Sequence, residues 1–293
     1  MTHIVPDNTP LQRLSDYARH IFPHLRGSGQ GIRKAIKRGY VLVDGAASET
    51  GTWVRAGMEI SWMEPDYTGK VFAQKIGIVY EDEHLAVVEK PAGIPTSGNQ
   101  YRTLEHALPF NMARSLLPGS FAIPQPVHRL DLLTSGLVLI GKTYATHAAL
   151  SRQFAERTIQ KSYTALVHGA FPETAVFDDP VKGKDARTRA ERIRVYPSGK
   201  EANLSLVRLF PETGRKHQLR IHLSGRGYPI VGDPIYCPEA LRVVRRGMFL
   251  NATSLAFTHP VTETSLQFEM AVPNKFRRYG ERKERLFQNS ASS

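Results

Sequence analysis

The stretch that decides how most of this chain folds is HRLDLLTSGLVLI, at residues 128–140. Asp131 stands in a polar turn directly before the apolar run LVLI, which predicts a buried strand. Ser135 and Gly136 permit a tight bend between the turn and the strand. By itself, this local pattern favours an aspartate that caps its own turn. An aspartate placed there can also point into a cleft, so the local pattern leaves both interpretations open.

On either side of this stretch, short apolar runs alternate with polar turns. A hairpin is predicted at 78–88, where two apolar runs flank the polar letters EDEH. Further strands are predicted at 137–140, 163–167, 204–207 and 255–257, and a helix at 143–157. We therefore expect an α+β domain at residues 77–280, with a large mixed, mostly antiparallel sheet flanked by helices. Residues 281–293 are polar and are expected to fray as a tail.

A second polar stretch, GRKHQLRIHL at residues 214–223, alternates polar and apolar letters. As a strand, it would place Lys216, Arg220 and His222 on one face and His217 on the other. The basic face would be either a solvated edge or the wall of an anionic cleft, and His217 would be a core histidine. Because the two histidines lie on opposite faces, they cannot bind one metal ion, and no metal site is expected.

The first 62 residues follow a different pattern. Helical spacing predicts one helix within 11–22 and a second one within 32–38, separated by Pro23 and Gly27. Gly39 is a plausible stop for the second helix, and a strand-turn-strand unit follows at 40–62. The second helix carries four cations, namely Arg33, Lys34, Lys37 and Arg38. Basic helices are usually just solvated, so this pattern alone does not assign them a ligand.

The composition narrows the class of protein. The chain has 293 residues, with 39 Lys+Arg against 27 Asp+Glu, and a net charge of +12. A basic surface commonly faces phosphate, so the charge favours a nucleic-acid partner. No apolar run approaches the roughly 20 residues that span a bilayer, and the first residues lack a secretory signal pattern. With Cys237 as the only cysteine, no intrachain disulfide can form, and a cytoplasmic location is expected.

Basic residues also cluster outside these stretches. One group comprises Lys182, Lys184, Arg187, Arg189, Arg192 and Arg194. A smaller group comprises Arg242, Arg245 and Arg246. Both groups are predicted to hold an RNA backbone, with solvated loops as the alternative.

Four segments closely resemble, in the same order, the motifs of the RluA-like pseudouridine synthases. They are EKPAGIPTS at 89–97, HRLDLLTSGLVLIGKT at 128–143, KSYTALVHG at 161–169, and GRKHQLRIHL with GYPIVGDPIY at 214–236. The resemblance covers about residues 77–275. It implies an enzyme that isomerises uridine in RNA to pseudouridine without a cofactor.

The resemblance also implies roles for particular residues. Asp131 matches the catalytic aspartate, and Arg220 matches the arginine that pairs with it. Tyr163 matches the tyrosine that packs against the uracil, and Arg129 matches the arginine that enters the RNA stack where the target base has left. Lys216 stands where the family usually has Thr or Ser, and we expect it to contact substrate. Further departures at 95–97 and 250–252 concern the identity of the substrate more than the activity.

Residues 11–62 resemble the S-four-type RNA-binding domain of ribosomal proteins and RNA-modifying enzymes. This resemblance implies that the second helix lies against an RNA backbone, with the four cations named above on phosphates. Residues 63–76, polar and without periodicity, are expected to link this domain to the larger one.

These expectations describe a monomeric RNA pseudouridine synthase acting on large-subunit ribosomal RNA, with transfer RNA as the alternative substrate. An ionised carboxylate can act as a nucleophile or stabilise charge, and a neighbouring arginine keeps it ionised. Whether Asp131 attacks the sugar, attacks the uracil ring or assists an elimination stays open. A non-catalytic RNA-binding or ribosome-assembly factor and a metal-dependent RNA hydrolase are the competing classes.

Overall fold

The computed structural model describes residues 2–22, 29–62, 69, 71–117, 119–198, 203–243 and 246–291. The predicted helix break at Pro23 and Gly27, residues 63–68 and 70 of the predicted linker, and Arg245 lie outside these ranges. Within them, every helix is too short or too polar to cross a membrane.

The N-terminal unit is a small sheet packed against two helices. Its elements are β1 Thr2–Ile4, β2 Gln12–Arg13, α1 Leu14–Ile21, α2 Gly29–Lys37, β3 Val41–Val43, β4 Ala46–Ala47, β5 Trp53–Val54 and β6 Glu59–Trp62. The main sheet has the order β1-β6-β3-β4, and β2 pairs separately with β5. Because β1 pairs antiparallel with β6 from Thr2 to Ile4, this unit includes residues before the predicted boundary at residue 11.

The two helices of this unit are amphipathic, as the spacing predicts. Ile32 and Ile36 of α2 are buried against Val41 and Ile60 of the sheet, while the four basic side chains at 33, 34, 37 and 38 are exposed. Gly39 ends α2 with a φ of +74°, a conformation that favours glycine. The helix therefore buries one face and presents its cations to solvent.

The larger unit follows from β7 onward. Its elements are β7 Gly77–Glu81, β8 Leu85–Lys90, α3 Leu104–Asn111, β9 Ser120–Pro126, β10 Ser135–Thr143, α4 Tyr144–Ala155, β11 Gln160–His168, β12 Thr174–Phe177, β13 Thr188–Tyr196, β14 Leu204–Pro211, α5 Gln218–Gly225, β15 Leu250–Thr258, β16 Ser265–Glu269 and α6 Asn274–Ala291. Ten described strands form one sheet in the order β12-β13-β14-β11-β15-β10-β8-β7, with β16 on β15 and β9 on β10. Pairing among them is antiparallel except between β10 and β15. The predicted α+β class and the mixed, mostly antiparallel sheet are confirmed.

The strand β10 lies inside this sheet, between β15 and β8. Val138 and Ile140 pack on one face with α3, while Leu137 and Leu139 pack on the other face, below α4. Burial of both faces explains why the sequence LVLI is continuously apolar rather than alternating. At Gly136, with a φ of +116°, an added Cβ would lie 2.3 Å from the carbonyl oxygen of Ala252. Only glycine therefore allows β10 to begin so close to β15, and this contact fixes where the preceding turn lies.

Two predictions of local structure are wrong. Residues 214–223 are not a strand, because the chain turns at His217, whose φ is +62°, into the helix α5. Its polar residues Gln218 and His222 are buried and hydrogen-bonded to Thr188, so both sides of this short helix are inside and the alternation was misleading. Residues 281–291 are not a frayed tail but the second half of α6, which docks on the core through the buried Phe276.

The end of the predicted linker also packs on the larger unit. The amide of Phe72 donates to the carbonyl of His106 at 2.9 Å. The amide of Ile76 donates to the Asn111 side chain at 2.8 Å, and that side chain donates to the carbonyl of Gln74 at 2.7 Å. Residues 71–76 therefore run along α3 rather than forming a free connection.

Candidate active site

Asp131 lies in the turn between β9 and β10, and the opening motif holds this turn in place. Thr96 Oγ1 bonds to both the amide and the carbonyl of the buried Leu130, at 3.1 and 3.2 Å. The carbonyl of Leu132 accepts from the Gly93 amide at 2.8 Å. The backbone on both sides of Asp131 is thus fixed by residues 93–96. Thr96, one of the departures from the family pattern, therefore helps to hold the turn that carries Asp131.

The Asp131 carboxylate faces two cationic or potentially cationic groups. Arg220 Nη1 lies 3.6 Å from Oδ2, and His217 Nε2 lies 3.7 Å from Oδ1. Both separations are longer than a good hydrogen bond, so the interaction in this state is electrostatic. The side chain of Asp131 is 20% exposed, which leaves the carboxylate reachable from the cleft.

The bidentate partner of Arg220 is Asp233, a residue to which the sequence assigned no role. Arg220 Nε and Nη2 donate to the two Asp233 oxygens, each at 2.7 Å. Asp233 also accepts from the amides of Ile235 and Tyr236. Burial would raise the pKa of Asp233, but the bonds from Arg220 and these two amides lower it below its usual value. Asp233 therefore fixes Arg220 between two carboxylates. The letters GDPIY of the closing motif, which contain Asp233, are the part of the sequence that could have pointed to this residue.

Burial and charge act in opposite directions on Arg220. Burial lowers the pKa of its guanidinium, but the hydrogen bonds and negative charge of Asp233, with a further contribution from Asp131, raise it overall. The side chain is only 3% exposed. A charge held in this way cannot reorient when substrate binds, so the positive group beside Asp131 is preorganised.

His217 lines the cleft and is not the core histidine that we predicted. Its left-handed backbone turns the ring toward Asp131 and Tyr236, and Nδ1 bonds to the Tyr236 hydroxyl at 2.9 Å. Burial lowers the pKa of His217, and the nearby cations Arg220, Lys216 and Lys182 act in the same direction against the opposing charge of Asp131. The imidazole is therefore neutral near pH 7.

Tyr163 stands on β11, where it is paired with Leu209 of β14 and Ala252 of β15. Its ring lines the cleft. Burial, followed by the negative charge of Asp131, raises the pKa of the Tyr163 hydroxyl well above its usual value. The phenol is therefore protonated throughout the neutral range and can donate a hydrogen bond beside the carboxylate.

Asp131, Tyr163, His217 and Arg220 line one cleft of about 300 Å³. It brings together five residues that the sequence singled out, namely Arg129, Asp131, Tyr163, Lys216 and Arg220. The four cations on and directly after α2 belong to the N-terminal unit and do not line it. Among the described residues, no three His, Cys, Asp or Glu side chains lie close enough together to hold a metal ion.

Known proteins resemble this chain along most of its length. Residues 84–225 match the family described as RNA pseudouridylate synthase. A ribosomal large subunit pseudouridine synthase D from Pseudomonas aeruginosa is 34% identical over 306 residues, covering 93% of this chain and 92% of that protein. A dual-specificity RNA pseudouridine synthase RluA from Pasteurella multocida is 35% identical over 210 residues, covering 66% of this chain and 91% of that protein.

A solved structure supports the same assignment. The human RNA pseudouridylate synthase domain containing 1 has a TM-score of 0.58 and 26% identity, over 72% of this chain and 87% of that one. Together with the cleft around Asp131, these likenesses define the class: the protein is an RNA pseudouridine synthase, an isomerase. Within that class, the chain belongs to the RluA-like family. The predicted family and the predicted kind of enzyme are confirmed.

Proposed function

We propose that this enzyme converts uridine to pseudouridine in large-subunit ribosomal RNA, with Asp131 as the catalytic carboxylate. The observation that carries the assignment is the position of Asp131, partly exposed in a cleft between the fixed Arg220 and the Tyr163 ring. The ribosomal target is supported by the P. aeruginosa relative, which is named for that substrate and is covered over 92% of its length.

The reaction needs a group that supports cleavage of the bond between C1′ of the ribose and N1 of uracil. The base then turns, C5 bonds to C1′, the C5 proton leaves and N1 takes up a proton, so nothing is gained or lost overall. No electron is transferred, and we propose that no cofactor takes part. The Asp131 carboxylate acts on the reacting nucleoside, and the positive charge of Arg220, 3.6 Å away, offsets its negative charge in the partly dry cleft.

The target base must leave its helix before it can reach Asp131, at a cost of a few kcal/mol. The Tyr163 ring offsets part of this cost by packing on the uracil, and its protonated hydroxyl is placed to donate a hydrogen bond to the base. The exposed Arg129 fills the vacancy in the RNA stack. Lys216, also exposed at the cleft, contacts the substrate.

The N-terminal unit supplies a second RNA contact in this proposal. Its helix α2 buries an apolar face, and four cations on and directly after it are exposed, as expected for an S-four-type domain that lies on RNA backbone. Such remote contacts add to the affinity for RNA without touching the cleft.

The test is tritium release from RNA labelled at uridine C5. Wild type and Asp131→Asn are compared on large-subunit ribosomal RNA, on precursor particles that contain it, and on transfer RNA. We expect release from ribosomal RNA by the wild type, and a rate at least roughly 10³-fold lower for Asp131→Asn. The exposed Asp178, changed to Asn, serves as the matched control and keeps full activity.

Two outcomes contradict the proposal in different ways. Equal release by wild type and Asp131→Asn would remove Asp131 from the chemistry while leaving the RNA target intact. Release from transfer RNA alone would preserve the role of Asp131 and overturn the ribosomal target.

A further inference from the structure

A second cleft adjoins the catalytic one. It measures about 480 Å³ and shares Arg129, Lys161 and Tyr163 with the first cleft. The charged residues in its lining are the cations Arg129, Arg157, Lys161 and Arg215, with Glu212 as the single carboxylate of the described lining. The surplus of positive charge makes it a place for an anion.

Lys161 is one of three cations that line both clefts, with Arg129 and Arg215. It is half-buried, and its ammonium lies 5.8 Å from the centre of the Phe154 ring. Within the part of the chain that the structure describes, this ammonium has neither an ion pair nor a hydrogen bond. Burial and the nearby charge of Arg157 lower the pKa of Lys161. A half-buried cation without a counter-charge is costly to keep, so its retention points to a ligand that supplies the charge.

The other charges of the second cleft do not compensate Lys161. The Glu212 carboxylate lies 3.4 Å from Nε of Arg187, a residue that does not line the cleft. Arg215 donates its Nε hydrogen to the carbonyl of Asp185. Arg157 has no ion pair among the described residues, so it adds to the uncompensated charge beside Lys161.

The spacing along β11 relates this charge to the reacting base. Lys161 and Tyr163 are two residues apart on the same strand and line the same clefts. Side chains two apart on a strand lie on one face and are separated by roughly 6.6 Å, the scale of one nucleotide. A nucleotide whose base packs on Tyr163 therefore brings a backbone phosphate within reach of Lys161.

We infer that the second cleft is a phosphate subsite, in which Lys161 and Arg157 bind a phosphodiester directly next to the extruded uridine. The inference rests on the proposed function, because it places the reacting nucleoside at Asp131. Binding there neutralises Lys161 and holds the nucleotide in its extruded conformation, so the subsite acts on extrusion as well as on affinity.

The experiment is a cycle that combines enzyme variants with modified RNA. The substrate is a stem-loop containing the target uridine, made with either a phosphate or an uncharged methylphosphonate on its 5′ or 3′ side, with matched sugars in each pair. Wild type is compared with Lys161→Met, Lys161→Gln and Lys161→Arg. The control is Lys275→Met, which changes another lysine held over phenylalanine rings but absent from both clefts.

We expect the neutral linkage on one side to lower kcat/KM of the wild type by about 10- to 100-fold, as for loss of a charge-assisted contact. On the RNA with the normal phosphate, Lys161→Met and Lys161→Gln lower kcat/KM by a similar factor. The neutral linkage does not lower kcat/KM of these two variants any further. Lys161→Arg keeps part of the sensitivity, and Lys275→Met behaves as wild type. The melting temperature of Lys161→Met is equal to or above that of wild type, because an uncompensated charge has been removed.

The subsite would be overturned if the losses in kcat/KM from the Lys161 variants and from the neutral linkage were additive at both flanking positions. Full activity of Lys161→Met and Lys161→Gln would overturn it as well. A lower melting temperature of both variants with additive losses would assign Lys161 to the scaffold instead. Failure of the proposed function is separate, since Asp131→Asn on the same unmodified stem-loop reports on the chemistry alone.

Discussion

The catalytic cleft and the helix α2 both present positive charge, but the charges are held in opposite ways. In the cleft, Arg220 is 3% exposed and fixed by two 2.7 Å bonds to Asp233. On and directly after α2, four cations are exposed, and none has an ion pair within the described residues. The first arrangement fixes one geometry, whereas the second leaves its charges open to solvent.

This difference predicts which property each region controls. A buried pair is strongly destabilising when one partner is removed, because the other charge stays behind without compensation. Exposed cations contribute to RNA affinity in small increments that salt screens. Variants in the cleft should therefore change stability and kcat, and variants on α2 should change affinity and its salt dependence.

The largest effect is expected for Asp233→Ala. It leaves Arg220 buried without its bidentate partner, so the free energy of unfolding should fall by about 3–5 kcal/mol, and pseudouridine formation should be lost with it. Urea denaturation measures the first effect and tritium release the second. The control is Asp179→Ala, which removes an ion pair of similar length to Arg226, at 2.9 Å, on the exposed surface.

Acid should act on the same pair. Because the pKa of Asp233 is lowered in the folded state, the stabilisation it gives is complete above the ordinary aspartate range and is lost as pH falls through the folded value. Asp233→Ala should therefore lose less stability than wild type on acidification.

Equal stability losses for Asp233→Ala and Asp179→Ala at neutral pH would refute the contrast between buried and exposed pairs.

The sequence located the centre of the cleft but not the scaffold behind it. Asp131, Tyr163 and Arg220 come together as the motif resemblance implied. Asp233 was missed because it touches Arg220 rather than the cleft, and a motif does not state which side chains bond to each other. His217 was misplaced because it was assigned to a strand face, whereas its left-handed backbone begins a helix.

The errors in the fold have a common physical cause. A periodic pattern of apolar residues indicates an element with one buried face. The prediction made from it is wrong where both sides of the element are buried, as in α5. It also fails where few apolar residues anchor an otherwise polar helix, as Phe276 does for α6. Central strands such as β10 were predictable because their apolar runs are long and are bounded by turn residues.

The next effect in size is expected on α2. Changing Arg33, Lys34, Lys37 and Arg38 together to Gln should weaken RNA binding about tenfold or more near 0.1 M salt, and should reduce the slope of log affinity against log salt by up to about 3. The rate at saturating RNA should change little, because the cleft is untouched. Binding assays over a series of KCl concentrations measure both quantities.

A matched control separates position from net charge. The helix α6 also exposes arginines, and the control variant changes Arg277, Arg278, Arg282 and Arg285 to Gln. If this variant loses as much affinity and slope as the α2 variant, net charge rather than α2 explains the binding.

The smallest effects are expected within the basic group at 182–194, and they divide the group in two. Arg189 and Arg194 of β13 already face Glu191 and Glu284, at 3.6 and 2.9 Å. RNA must compete with these carboxylates, so changing both arginines to Gln should cost only about two- to threefold in affinity.

Lys182 and Lys184 are exposed and have no ion pair among the described residues. Lys182 is also close enough to the cleft for its charge to lower the pKa of His217. Changing both lysines to Gln should therefore reduce the salt slope more than the change at Arg189 and Arg194, although each variant removes two charges. The same KCl series measures both, and equal slopes would mean that local carboxylates do not limit which cations bind RNA. A larger effect of the lysine pair would show that availability of a cation, and not its presence, sets its contribution to binding.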